Sequence, residues 1–230
     1  TTGATVITNI EELSRPLLIY RQLLQWLGGI GIVVLVLAIL PILGVGGMYL
    51  YKAESSSPIK DNKLSPRITE TAKSLWSVYL ILTIICMIFY KLAGMNYFDA
   101  IGHSFSTVSI GGFSTHNESI GYYSSDYIKI TCMIFMFLSA LNFVLHFLFY
   151  KTKSFNNYFS NSEAKTFLAI IMGLLILVFL FSIGGRLSSI NNIDLIFHVL
   201  SFVTTSGFTV SEYNIWPTFI ITLIFLSSFI

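Results

Sequence analysis

Three short runs of this sequence combine glycine with hydroxyl side chains nearby: Gly3-Ala4-Thr5, Gly112-Phe113-Ser114 and Gly207-Phe208-Thr209. Glycine permits positive φ and close approach of backbone to a ligand. Backbone carbonyls in such loops can replace the hydration shell of a cation. The chemistry on offer is ion coordination by the main chain, with no dedicated anionic side chain. Its candidate residues are Thr1, Thr2 and Gly3, then Ile110, Gly111 and Gly112, then Thr205, Ser206 and Gly207. Catalysis is poorly provided for. There is no His-Glu-x-x-His motif, no pair of carboxylates inside an apolar run, and no serine or cysteine with an evident base. Cys86 and Cys132 sit within apolar runs and read as small buried hydrophobes without transition-metal spacing.

The second and third runs belong to a repeat. Shifted by 95 residues, the chain matches itself at seven of the 16 positions 99–114, without a gap. Asp99 falls on Asp194, His103 on His198, Gly112 on Gly207 and Phe113 on Phe208. Chance would give about one identity. Asp99 and Asp194 each open a short apolar stretch, 98–108 and 193–204. At about 11 residues each, these are too short to cross a bilayer and read as re-entrant helices. An acid at the N-terminus suits the helix dipole, and the negative C-terminal end then points at the glycine loop, where it favours a cation. Irregular backbone at membrane depth must line a wet cavity or be buried in protein. His103 and His198 lack a second ligand at useful spacing, and hydrogen bonding within each repeat is expected of them.

The elements that would hold these loops are membrane spans. The chain is 54% hydrophobic and 10% charged, against about 25% charged in ordinary soluble domains. Its net charge of +2 gives no reason to expect nucleic acid as a partner. Gaps between charges place spans near 20–42, 74–93, 128–149, 166–185 and 216–230. Eight of the 13 basic residues lie in or beside 52–73 and 150–165, while 92–127 has none. The positive-inside rule then puts both basic loops in the cytoplasm and the re-entrant stretches on the outer side. The expected organisation is 1–52, filter strand and return span of a first repeat; 53–72, cytoplasmic linker; 73–150, second repeat; 151–165, cytoplasmic loop; 166–230, third repeat. The fold class expected is an all-α membrane protein of repeated helix–pore loop–helix units, truncated at both ends. Asn142 and His146, at i and i+4 on one span, are expected to share a face and bond a neighbouring helix.

Several runs carry a family resemblance: Thr1-Thr2-Gly3-Ala4-Thr5-Val6, Gln25-Trp26-Leu27-Gly28-Gly29-Ile30-Gly31, Gly44-Val45-Gly46-Gly47-Met48, Lys63-Leu64-Ser65-Pro66-Arg67-Ile68, Ser109-Ile110-Gly111-Gly112-Phe113-Ser114-Thr115-His116 and Thr204-Thr205-Ser206-Gly207-Phe208-Thr209. Together they resemble the Trk/Ktr superfamily of potassium transporters, on the side of its TrkH-like pore subunits. The resemblance covers nearly the whole chain. It implies four membrane–pore-loop–membrane repeats around a pseudo-fourfold pore, with one key glycine per filter strand, here Gly3, Gly112 and Gly207. It further implies K⁺ as the transported ion, a bacterial inner membrane with lipid around the chain, a homodimer, and a cytosolic nucleotide-binding ring as regulatory partner. No enzyme activity is expected. A less selective K⁺/Na⁺ pathway of the same architecture is the alternative within transport; a membrane enzyme or scaffold is the alternative from another class.

Overall fold

In hydrocarbon every backbone polar group needs an internal partner, so long apolar stretches fold as helices. The computed structural model describes residues 1, 3–39, 68–182, 191–212 and 216–228. Among the described residues the order is α1 (Arg15–Ile39), α2 (Ile68–Leu92), α3 (Tyr97–Val108), α4 (Asp126–Ala140), α5 (Phe143–Thr152), α6 (Asn156–Ser160), α7 (Ser162–Phe181), α8 (Asn192–Val203) and α9 (Thr218–Ser227), with one 3₁₀ turn at Ser119–Tyr122. No strand occurs among the described residues. Thr2, positions 40–42 of the first expected span, the Gly46-Gly47 pair, linker positions 53–67 and the span ends 183–185 and 229–230 lie outside the described residues. Residues 68–72 of the expected linker already belong to α2.

Among the described residues two helices meet the length and apolarity of a membrane span by themselves, Ser74–Leu92 within α2 and Ser162–Phe181, which is α7. On α2, Leu75, Tyr79, Cys86 and Tyr90 are buried at helical spacing, while Ile81, Ile84, Ile85 and Ile88 face outward. Cys86 and Cys132 are both fully buried and free. Trp26 of α1 ties three helices together. It stacks on Tyr79 of α2 at 5.5 Å, packs on Phe105 of α3 at 5.3 Å, and donates its indole N–H to Thr83 Oγ1 at 3.0 Å. Gly29 permits this approach: a Cβ there would stand 2.9 Å from Cβ of Ser109. A core around α2 to α5 takes in Phe197 and Phe208 of the third repeat, so the repeats share packing.

The helix expected over 128–149 is not continuous. The chain breaks between α4 and α5 with a bend of 92°. Leu141 is extended at φ −74°, ψ 149°. The Asn142 side chain caps α5 by accepting the Val144 N–H at 3.0 Å. The Leu138 carbonyl, freed by the break, accepts a hydrogen bond from His146 Nε2 at 2.8 Å. His146 Nδ1 in turn accepts from the Tyr158 hydroxyl at 2.8 Å. Asn142 and His146 therefore make the break itself instead of sharing one face of a continuous helix.

Candidate functional site

The two short helices stand where the repeat places them. α3 and α8 have 12 residues each, about 18 Å of rise against a hydrocarbon core of about 30 Å. Each begins at an asparagine cap: Asn96 accepts from Asp99 N–H, and Asn191 from Ile193 N–H. Each ends at a residue of nearly the same shape, Ser109 (φ −81°, ψ −4°) and Thr204 (φ −79°, ψ −4°).

The loops leaving these two helices are duplicated as well. Ile110 (φ 55°) matches Thr205 (φ 60°), and Gly112 (φ 79°) matches Gly207 (φ 76°); Gly111 and Ser206 between them are not left-handed. The Ile110 N–H donates to the Thr107 carbonyl at 3.1 Å and the Gly111 N–H to the Ser106 carbonyl at 2.8 Å. Thr205 to Phe202 and Ser206 to Ser201 repeat this at 2.9 Å each. This is the Schellman closure of a helix C-terminus, which usually has glycine at the left-handed position. Here a β-branched residue takes it twice, at a cost of about 1–3 kcal/mol each.

The three glycine runs lie against one another. A Cβ on Gly3 would stand 2.8 Å from the Gly111 carbonyl oxygen. A Cβ on Gly112 would overlap the Ser206 carbonyl oxygen and lie 3.3 Å from the Gly207 carbonyl carbon. Gly3, Gly111, Gly112, Ser206 and Gly207 are thus brought together from three separate loops. Ile110 and Thr205 form the turns leading into them, and Thr1 packs beside Gly28 of α1. Thr2 is not among the described residues.

Polar contacts hold the loops in place. His103 donates from Nδ1 to the Asp99 carbonyl and accepts the Ser114 hydroxyl at Nε2, both at 2.9 Å. His198 Nε2 lies 3.2 Å from Ser211 Oγ. Each histidine thereby fastens its own outgoing loop to its own short helix, and neither approaches a metal cluster; none occurs among the described residues. Asp99 accepts the Thr115 hydroxyl at 2.7 Å and lies 3.3 Å from His116 Nε2. Burial alone would push the Asp99 carboxyl up, but hydrogen bonds led by Thr115 outweigh it and hold the group below the usual carboxylate range. Its counterpart Asp194 instead meets Lys129 of α4 at 2.7 Å. Asn117 binds residues 9 and 10, just beyond the first run, through Asn9 at 2.9 Å and the Ile10 N–H at 2.7 Å.

Two residues at the site carried no assignment from the sequence. Gln22 and Gln25, i and i+3 on α1, are 1% and 3% exposed. Gln25 Nε2 donates to the Gly111 carbonyl at 2.6 Å, and its Oε1 accepts the Phe113 N–H at 3.1 Å. Gln22 Nε2 reaches the Phe113 carbonyl at 3.4 Å. The available signal was two amides within an otherwise apolar segment, which must find partners at membrane depth.

Comparison with known proteins agrees with this arrangement. The family model TrkH, described as a cation transport protein, matches residues 1–230. The chain belongs to the TrkH family. It is 50% identical over 234 residues to the Trk system potassium uptake protein TrkH of Halomonas elongata, and 46% identical over 235 residues to that of Escherichia coli K12. In each case all of this chain is covered, and 48% of the relative. The crystal structure of the potassium transporter TrkH from Vibrio parahaemolyticus superimposes with a TM-score of 0.82 at 42% identity, covering 99% of this chain and 46% of that one. The chain therefore spans about half the length of the relatives it matches. The family is one of cation transport proteins, in line with the repeated short helices and glycine loops and with the resemblance of the sequence, and the all-helical architecture matches that of TrkH.

Proposed function

We propose that this chain supplies three filter strands of a potassium uptake pore. The ion would be coordinated chiefly by carbonyls of Thr1, Thr2 and Gly3, of Ile110, Gly111 and Gly112, and of Thr205, Ser206 and Gly207. The observation that carries the reading is the duplicated backbone, left-handed at 110 and 112 and again at 205 and 207, set at the C-terminal ends of two half-crossing helices. Such ends carry about −0.5 charge and favour a cation in front of them. Contact of Gly3 with the second strand, and of Gly112 with the third, supports placing the runs around one axis. Four such units related by a pseudo-fourfold axis would complete the ring of carbonyls.

The setting is the bacterial inner membrane, with the basic stretches 52–73 and 150–165 on the cytoplasmic side, the first of them available to anionic lipid headgroups or to a cytosolic partner. The relatives are named as parts of a Trk system, which supports a regulatory partner; we assign this to a cytosolic nucleotide-binding ring, and the transporting unit to a homodimer. The test is flux of K⁺ or Rb⁺ through the full-length transporter in liposomes. Uptake above protein-free liposomes, with K⁺ favoured over Na⁺, is the expected result. Flux without preference would replace K⁺ selectivity by a general K⁺/Na⁺ pathway, and no flux would remove the transport reading.

A further inference from the structure

We infer that Gln25 is a positioning residue for the second filter strand, in the place that Met136 and Ser206 fill in the third. This rests on the filter reading proposed for these loops.

The Gln25 amide is buried on a helix amid apolar neighbours, where an unpartnered amide is costly. Both of its ends are used on one strand. Its N–H₂ fixes the Gly111 carbonyl and its oxygen fixes the Phe113 N–H, as a neighbouring β-strand would. A carbonyl oxygen has two lone pairs. Holding one from behind sets the direction in which the Gly111 peptide offers the other. Gln25 can reach this far only because residue 111 has no side chain: a Cβ on Gly111 would overlap the Gln25 amide.

The third strand is held by the opposite division of parts. At the position of Gly111 it has Ser206. The Ser206 hydroxyl contacts Met136 Sδ at 2.8 Å and lies 3.2 Å from Ser201 Oγ. Met136 is fully buried on α4, the helix that comes after the second filter as α1 comes after the first. Each of these helices therefore backs the strand of the next repeat. In one case the polar group comes from the helix and the strand is bare; in the other the helix is apolar and the strand brings its own hydroxyl. The two pairs are alternative fillings of one place. Replacing Gln25 alone leaves the Gly111 carbonyl and the Phe113 N–H without this partner, and a side chain on Gly111 alone meets the amide.

The experiment measures K⁺ and Na⁺ uptake by the full-length transporter, per copy in the membrane, for Gln25→Met, Gly111→Ser and the double variant, with Gly112→Ala as a separate probe of the filter. Gln25→Met is expected to lower the K⁺/Na⁺ uptake ratio roughly tenfold, as loss of buried hydrogen bonds to the strand implies. Gly111→Ser is expected to do the same by displacing the amide. The double variant is expected to be no worse than Gln25→Met alone, since with the amide gone the new side chain has nothing to displace and the two effects are non-additive. Gln25→Leu, which removes the amide alone, gives the same reading if Gly111→Ser does not reach the membrane. A wild-type ratio for Gln25→Met and Gln25→Leu, or a double variant as poor as the two single effects multiplied, overturns the role of Gln25. If Gly112→Ala shifts the ratio in that case, the filter stands without the Gln25 buttress. If Gly112→Ala leaves the ratio unchanged, the filter reading itself fails, and the inference with it.

Discussion

Replacing Gly112 with alanine perturbs two quantities that the structure separates. At φ 79° an L side chain costs about 1–2 kcal/mol. In addition the new Cβ would overlap the Ser206 carbonyl oxygen, so one of the two strands must move by roughly 1 Å to regain ordinary contact. A displacement of that size at a coordinating site costs on the order of 100-fold in function. Gly3→Ala meets only the second kind of obstacle, and a smaller one. Its Cβ would sit 2.8 Å from the Gly111 carbonyl oxygen, and its φ is not left-handed. Gly207→Ala adds the strain of φ 76° and meets nothing within 4 Å among the described residues, so it isolates the strain, roughly five- to thirtyfold. The assay is K⁺ and Na⁺ uptake in a K⁺-uptake-deficient strain, normalised to transporter in the membrane. We expect Gly112→Ala to lose K⁺ preference most among the three, with abundance largely kept, because no apolar burial is removed. Wild-type ion preference in all three variants, with only abundance reduced, would refute the assignment of these loops as filter strands and leave close helix packing as the reason for the glycines.

Named contacts set three further outcomes. Ile110→Gly relieves about 1–2 kcal/mol of left-handed strain, offsetting lost side-chain contact. The thermal midpoint of the purified transporter should stay within about 4 °C of wild type while K⁺ preference relaxes; a large loss of stability at unchanged preference would contradict this. Lys129→Met leaves the Asp194 carboxylate, 14% exposed, without its partner and should destabilise by roughly 1–3 kcal/mol. Adding Asp194→Asn should recover most of that in thermal melts, and a double variant no better than the single one would show that the pair contributes nothing. A cysteine at Ser56 should react only with reagents that reach the inner face, given the basic residues around it; labelling from outside intact cells would reverse the topology.

The short helices were legible because their signal is local. Apolar length, an acid in the first turn and a glycine loop after the last are all properties of consecutive residues. The stretches 98–108 and 193–204 accordingly formed helices at Tyr97–Val108 and Asn192–Val203. The internal repeat made those signals stronger by supplying each one twice, and the caps, the turn dihedrals and the closing hydrogen bonds repeat in the same register. Hydrogen bonding of His103 and His198 within their own repeats was accessible for a related reason, since each bond spans only 11 or 13 residues.

Other features depend on partners distant in sequence. Ser139, Asn142 and His146 near Leu141 do not announce a break by their types alone; the 92° bend is held by Asn142 capping one helix, His146 bonding the Leu138 carbonyl, and Tyr158 fixing the imidazole from a third segment. Residue preference disfavours Ile110 and Thr205 in left-handed turns, yet the helix closure and the packed strands hold them there. Gln25 lies 86 residues from Gly111, and an amide in an apolar helix announces only that it needs a partner, not which one. That choice was made by the packing of α1 on α2 and α3 through Trp26 and Gly29, which sets how far each side chain on that face can reach. Composition and periodicity thus determined which segments enter the membrane and which stop half-way; the register between repeats determined which backbone groups those segments hold, because hydrogen-bond partners are chosen by distance in space.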